Sequence, residues 1–248
     1  FLIFFLNNSY AENLLITANN ISLDKNSNIS IFEKNVVVKT KNKTLKSEFA
    51  KYDREIGQLI LKGNISVEDE RKNIMYADYA EYYENDEILK TVGKTKVETT
   101  EKYILNGQDL NVDNKKKIIK SAKKSILEDG DGNLITLENF EYLTEDSLFK
   151  SIGLIEIIDN KKNKYLFSQV YIDTKKKEIL GTDSKSYFNN SEFKIHPKND
   201  PRIFSNTVKI SSEKSSFDKA AFTLCNFREN DKCPPWEIRS KKMLHDNI

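Results

Sequence analysis

Leu45-Lys46-Ser47-Glu48-Phe49-Ala50-Lys51-Tyr52 and, 30 residues later, Met75-Tyr76-Ala77-Asp78-Tyr79-Ala80-Glu81-Tyr82 are one pattern written twice. Carried on at that offset, the Tyr52 position becomes Tyr82, Val112, Tyr142 and Ile172, and the Ala50 position becomes Ala80, Leu110, Phe140 and Val170. Both columns stay apolar through five units. A third column, Gly63, Gly93, Lys123, Gly153 and Asp183, keeps its glycine in three units. An earlier unit fits at an offset of 29, where Ala18, Ile21 and Leu23 precede Asn35-Val36-Val37-Val38 as Ser47, Ala50 and Tyr52 precede Asn64-Ile65-Ser66-Val67. About six units cover roughly residues 16 to 185, and a fixed period of this length marks a repeat architecture.

Within a unit the apolar residues alternate. Leu59, Leu61, Gly63, Ile65 and Val67 share one face; their counterparts are Leu89, Thr91, Gly93, Thr95 and Val97, and two units on Phe149, Ser151, Gly153, Ile155 and Ile157. A period of two is the mark of half-buried antiparallel strands. The step from Met75 and Ala77 to Ala80 and Tyr82 changes face, as a bulge or corner requires. The mid-strand glycine, with no side chain to project inward, allows a sharp bend or close approach of the opposite wall. Polar turns such as Asp24-Lys25-Asn26-Ser27, Glu84-Asn85-Asp86 and Asp113-Asn114-Lys115 separate the strands. The expectation is an all-β chain of stacked hairpin rungs that bury their apolar faces only by stacking. A filled scaffold and an apolar groove both satisfy the alternation.

Composition narrows the function. The 248 residues carry 40 Lys and Arg against 38 Asp and Glu, a net +2, and no single-sign field of the kind a nucleic-acid binder shows. Eight Gly, two His and two Cys leave little for a phosphate loop, a histidine metal site or a zinc cluster. Asp129-Gly130-Asp131-Gly132-Asn133 opens like a calcium loop, but Leu134 stands at the sixth position and Phe140 at the twelfth, so it reads as a hairpin turn. His196 and His245 have no HExxH or GxSxG context and read as surface or turn residues. No catalytic group and no metal site is expected. The lysine runs at 115–117, 123–124 and 175–177 read as solvated strand edges, with lipid phosphates as the alternative. Tyr82, Tyr142 and their column mates read as ring packing in the core.

The chain opens on Phe1-Leu2-Ile3-Phe4-Phe5-Leu6 and then Ser9-Tyr10-Ala11, which reads as the tail of a secretory signal peptide cut after Ala11, with a buried first strand as the alternative. Export would permit oxidised cysteines. Cys225 and Cys233 stand close enough for a small-loop disulfide, and each could also pair elsewhere.

The last segment runs through Asn199-Asp200-Pro201-Arg202, Phe222-Thr223-Leu224-Cys225, Cys233-Pro234-Pro235-Trp236-Glu237-Ile238-Arg239 and His245-Asp246. With the thirty-residue repeat it resembles the N-terminal part of the LPS-assembly LptD (OstA) family, and the repeat resembles the twisted, open OstA-like β-jellyroll shared with LptA and LptC. The resemblance implies residues 1–11 as signal remnant, 12–224 as periplasmic jellyroll, and 225–248 as linker and start of an outer-membrane β-barrel whose remainder is missing. It implies a non-enzymatic, cofactor-free role at the periplasmic face of the outer membrane, receiving lipopolysaccharide acyl chains from LptA and passing them to the barrel. LptA would pair by edge strands with the N-terminal rung, about residues 16–40, and the lipoprotein LptE would be met through the barrel. It favours the groove, lined by Leu59, Leu61, Ile65, Val67, Leu89, Gly93, Val97, Phe149, Gly153, Ile155 and Ile157. It also implies that Cys225 bridges to the barrel, which the neighbouring Cys233 puts in question. A free-standing LptA-like bridge protein is the alternative, and an exported β-solenoid of adhesin type the alternative of a different class.

Overall fold

A computed structural model describes residues 14–24, 27–193, 199–226 and 234–246; the signal-remnant reading lies outside them. The strands are β1 (Leu15–Thr17), β2 (Asn20–Asp24), β3 (Ile29–Lys39), β4 (Lys43–Asp53), β5 (Gln58–Asp69), β6 (Ile74–Tyr83), β7 (Ile88–Thr91), β8 (Lys94–Glu98), β9 (Ile104–Gln108) and β10 (Asn111–Asp113). They continue as β11 (Ile118–Ser121), β12 (Ser125–Glu128), β13 (Leu134–Leu137), β14 (Phe140–Leu143), β15 (Leu148–Ile158), β16 (Lys164–Asp173), β17 (Glu178–Tyr187), β18 (Arg202–Ile210), β19 (Lys214–Thr223) and β20 (Ile238–Asp246). One helical turn, α1 (Asn190–Phe193), follows β17. All the described strands belong to a single antiparallel sheet, so the all-β expectation holds.

Each long strand bends in the middle. The pairs β7 with β8, β9 with β10, β11 with β12, and β13 with β14 are halves of strands broken at the same place. The bend folds the sheet into two arms around a common core. Along the first arm the inward row runs Tyr52, Leu59, Tyr82, Leu89, Val112, Ile119, Tyr142 and Phe149, each opposite the next. Along the second it runs Leu45, Val67, Met75, Val97, Leu105, Leu127, Ile135 and Ile157. Adjacent strands lie ~4.8 Å apart, so these rows are continuous apolar walls that no single rung could bury.

The corner explains the glycine column. In β5 the register against β6 shifts between Lys62 and Ile65, and Gly63 and Asn64 both adopt left-handed backbone, φ 76° and 45°. One extra residue in a strand kinks it and strengthens its twist. The close-approach reading of these glycines is corrected. A Cβ on Gly93 would meet nothing within 4 Å, and one on Gly63 would meet Glu48 of the neighbouring strand. What the glycine supplies is positive φ, at 82° in Gly93 and 120° in Gly153, where a side chain would clash with its own backbone. The intervening strand turns the same corner by the expected change of face, with Met75 and Ala77 buried before it and Ala80 and Tyr82 after it.

Along each arm the successive tips are tied to one another. On the first arm the N–H groups of Glu84, Asn114, Thr144 and Thr174 donate to the carbonyls of Gly57, Glu87, Lys117 and Ser147, at 2.9 to 3.1 Å. On the second arm Asp69, Asp129 and Asp159 each accept N–H groups from their own turn and hold an asparagine four residues on, Asn73, Asn133 and Asn163. The Oδ1 atoms of these asparagines accept the N–H of Thr100, Asn160 and Asn189 in the next turn, at 3.1, 3.0 and 2.8 Å. Asp129 to Asn133 is thus a hairpin turn, as expected.

Candidate functional site: a slot between the arms

The two arms separate over the middle rungs and leave a cavity of about 340 Å³, inside the ~300–1,000 Å³ typical of ligand pockets. Its walls are the two inward rows: Tyr82, Leu89, Val112, Ile119, Tyr142 and Phe149 from the first arm, and Val67, Met75, Val97, Leu105 and Leu127 from the second. The corner behind these rungs carries small residues beside two large buried ones, Leu110 and Phe140. Ala77, Ala80, Thr91, Thr95, Ser121 and Ser125 are all buried. The polar ones are satisfied locally: Thr95 Oγ1 donates to Thr91 Oγ1 at 2.7 Å, and Ser121 Oγ to the Gln108 carbonyl at 2.6 Å. Tyr142 stacks on Phe149 with ring centroids 4.3 Å apart.

Of the residues expected on a groove wall, Val67, Leu89, Val97 and Phe149 border this cavity. Leu59, Leu61, Ile65, Ile155 and Ile157 face inward too, but are packed into the core at 2% exposure or less. Gly93 and Gly153 stand at exposed corners, off the inner face, because the bulge takes them out of alternation. The wall residues passed over, Ile119 and Leu127 among them, occupy the same columns: Leu89 leads to Ile119 and Phe149, and Val97 to Leu127 and Ile157. Tyr82 and Tyr142 pack in the core as expected and also line the slot. His245, expected at the surface or in a turn, lies half-buried in β20 with its ring 5.0 Å from Phe188.

The mouth is polar and crossed by single contacts between opposite arms. Lys43 Nζ donates to Asn114 Oδ1 at 2.5 Å, Arg71 Nη1 to the Thr144 carbonyl at 3.5 Å, and Tyr103 Oη to the Thr174 carbonyl at 3.2 Å. Just beyond, Lys177 pairs with Asp131 at 2.6 Å. Burial lowers the pKa of Lys43, against the opposing field of Asp69. Burial, with Asp129 and Asp131 nearby, raises that of Tyr103 to about 12. Carboxylates on the lining (Asp69, Glu70, Glu87, Glu101, Asp113 and Glu145) outnumber the cations Lys43, Arg71 and Lys117. The mouth offers no cradle for an anion. What the slot can do is hold something thin and apolar.

The two ends of the interior differ. In β2, Ile21 and Leu23 stand opposite Phe32 and Ser30, on the inward face, yet are 53% and 62% exposed. Among the described residues β1 and β2 pair only with β3, so this edge carries free hydrogen-bonding groups. At the other end β20 pairs with β19 from Phe222 opposite Ile238 to Lys214 opposite Asp246. Cys225 donates its N–H to Thr223 Oγ1 at 3.1 Å, and Thr223 Oγ1 donates to the Trp236 carbonyl at 2.8 Å; Cys233 lies outside the described residues.

No family model matches the chain, and no curated protein matches it. Among solved structures, it is similar to LptH, the LptA homologous periplasmic component of the conserved lipopolysaccharide transport device from Pseudomonas aeruginosa. The identity is 10%, over 69% of this chain and 82% of that one, with a TM-score of 0.21. So low a score carries no argument, and the architecture rests on the strands described above.

Proposed function

We propose that the chain is a periplasmic lipopolysaccharide carrier of the LptA-like bridge kind, which takes acyl chains into the slot and passes them to the next protein of a relay. The observation that carries the reading is the slot itself, apolar on both walls; the inward face of β2 is exposed as well, at the N-terminal edge. Burying each methylene yields about 0.8 kcal/mol, so a few chains suffice for a firm, non-specific grip. The acid-rich mouth leaves the sugar and phosphates outside. The transfer is between binding sites, with no covalent chemistry. The exposed N-terminal edge would pair with a partner jellyroll by strand addition, and β20, a further rung of the same sheet, favours a free-standing bridge.

One feature favours the second reading, the periplasmic domain of an LptD-like assembly protein. The Cys225 to Trp236 segment resembles that family's passage into its barrel, and Trp236 is 46% exposed. Photo-crosslinking from Val97, Ile119 and Phe149, with outward Ile126 as control, in cells that make lipopolysaccharide tests what the two readings share. Adducts from the wall positions alone are expected; none from any position sinks the carrier reading. A crosslink from Trp236 to an outer-membrane barrel protein would move the assignment to the second reading.

A further inference from the structure

The contacts across the mouth recur with a nearly constant spacing. Lys43 meets Asn114, Arg71 meets Thr144 and Tyr103 meets Thr174, pairs 71, 73 and 71 residues apart in the chain. The regularity has a physical origin. Sheet twist rotates each rung relative to the last, so each second-arm tip comes to lie over a first-arm tip more than two repeats further on. All six residues lie on the slot. Each contact is a single hydrogen bond, that of Arg71 at 3.5 Å, and the neighbouring Lys177–Asp131 pair is half exposed on both sides, a kind of ion pair that contributes little to stability; the strongest of the row is the charge-assisted bond of Lys43. The tips on either side are instead tied along their own arm by the backbone and asparagine ladders. The arms are therefore stiff lengthwise and weakly joined across the mouth.

We propose that these bridges are a row of latches. An alkyl chain enters the slot sideways when the arms spread and the latches open in succession, and the latches re-form above it. This rests on the carrier reading. It adds that the rate of loading is set by the contacts of Lys43, Arg71 and Tyr103 across the mouth, rather than by their grip on the ligand.

The test is stopped-flow binding of a fluorescent fatty acid, cis-parinaric acid, to the full chain. Lys43→Met and Tyr103→Phe keep the apolar portion of each side chain and remove one latch. Because both the empty and the occupied slot lose the same bond, the rates of association and dissociation are expected to rise together. Each should rise roughly fivefold in Tyr103→Phe, the equivalent of a net hydrogen bond of about 1 kcal/mol, and by more in Lys43→Met, whose bond is charge-assisted. An unchanged association rate with faster dissociation would show that these groups hold the ligand and would overturn the proposal. The opposite perturbation guards against variants that fold poorly. With Cys225 and Cys233 replaced by serine, Lys43→Cys and Asn114→Cys are joined by a reducible bifunctional thiol reagent. Uptake should stop in the joined protein and return on reduction, and unimpeded uptake in the joined protein overturns the latch. If the unmodified chain takes up no probe at all, the carrier reading falls and the latch with it.

Discussion

The middle rungs and the C-terminal rungs are built on the same bent hairpin, yet one encloses a slot and the other a packed core. Around Leu89, Leu105 and Ile119 the two inward rows leave the slot between them, and polar groups bridge the arms across its rim. From β16 onward three buried rings, Phe167, Phe188 and Phe217, fill the interior, although the corner there also has small residues, Gly181, Ser184, Ser205 and Ala220. Phe167 lies against Gly181 so closely that a Cβ there would fall 2.3 Å from the ring. Phe188 reaches from the second arm to Tyr165, Phe217 and His245, with centroids 6.2, 6.4 and 5.0 Å away. The difference is in side-chain volume at fixed backbone topology. A repeat fixes where inward positions fall, and the residues placed there decide whether the interior is full.

The sharpest way to break the comparison is to truncate one ring in each region. Phe217 is fully buried, and Phe217→Ala should lower stability by about 3–5 kcal/mol, the cost of lost burial plus a new void. Phe149 already faces a void on one side. Phe149→Ala should cost clearly less, with most of the loss coming from its stack on Tyr142. Urea unfolding midpoints read both. Equal losses would mean that the slot is packed in solution and that the contrast is false.

A smaller effect separates the two kinds of glycine. Gly181 has no left-handed backbone; its constraint is the buried Phe167 ring, which has nowhere to move. Gly181→Ala should therefore cost about 1–3 kcal/mol by overpacking. Gly93 has open space around it and φ 82°, so Gly93→Ala should cost only about 1 kcal/mol of backbone strain. Replacing Gly93 with asparagine, which tolerates positive φ, should recover much of that loss, whereas no residue larger than glycine should be neutral at 181. Thermal unfolding of the three variants decides it.

Much of this was legible in the repeat. The inward columns, the corner at Gly63 and Gly93, the change of face before Ala80 and the all-β architecture follow from period-two alternation at an offset of 30, because a strand offers no other way to bury one face. Ile119 and Leu127 were within reach by the same arithmetic, one unit on from Leu89 and Val97. The Asp-x-x-x-Asn turns at Asp69, Asp129 and Asp159 were also visible as a motif, but the ladder they form depends on the next turn stacking above, which one unit cannot reveal. The contacts across the mouth left no signal. Lys43 finds Asn114 through the accumulated twist of the sheet, a quantity spread over many residues and written in none. The void likewise depends on side-chain volume at inward positions, as in the column Ala77, Gly107, Leu137 and Phe167, where a small residue in the open half and a ring in the filled half leave the alternation unchanged.

The smallest expected effect tests whether polar contacts hold the arms together where packing does not. The hydroxyl of Tyr103 donates across the mouth to the Thr174 carbonyl, and its pKa is raised to about 12, by burial first and then by Asp129 and Asp131. A tyrosine that ionises near 10 when unfolded and near 12 when folded binds its proton more tightly in the native state. Its contribution is thus complete below about pH 10 and is lost as the pH climbs through about 12. Tyr52, held to about 12 by burial and by its hydrogen bond to Glu84, acts in the same direction. Tyr103→Phe should lower stability at neutral pH by about 1 kcal/mol, one net hydrogen bond, and flatten the fall in stability between about pH 10 and 12. Phe217→Ala, which removes no titrating group, should shift the whole curve down and leave its alkaline slope unchanged. If Tyr103→Phe keeps the wild-type slope, the hydroxyl is already in water in solution, and the mouth stands open over the slot.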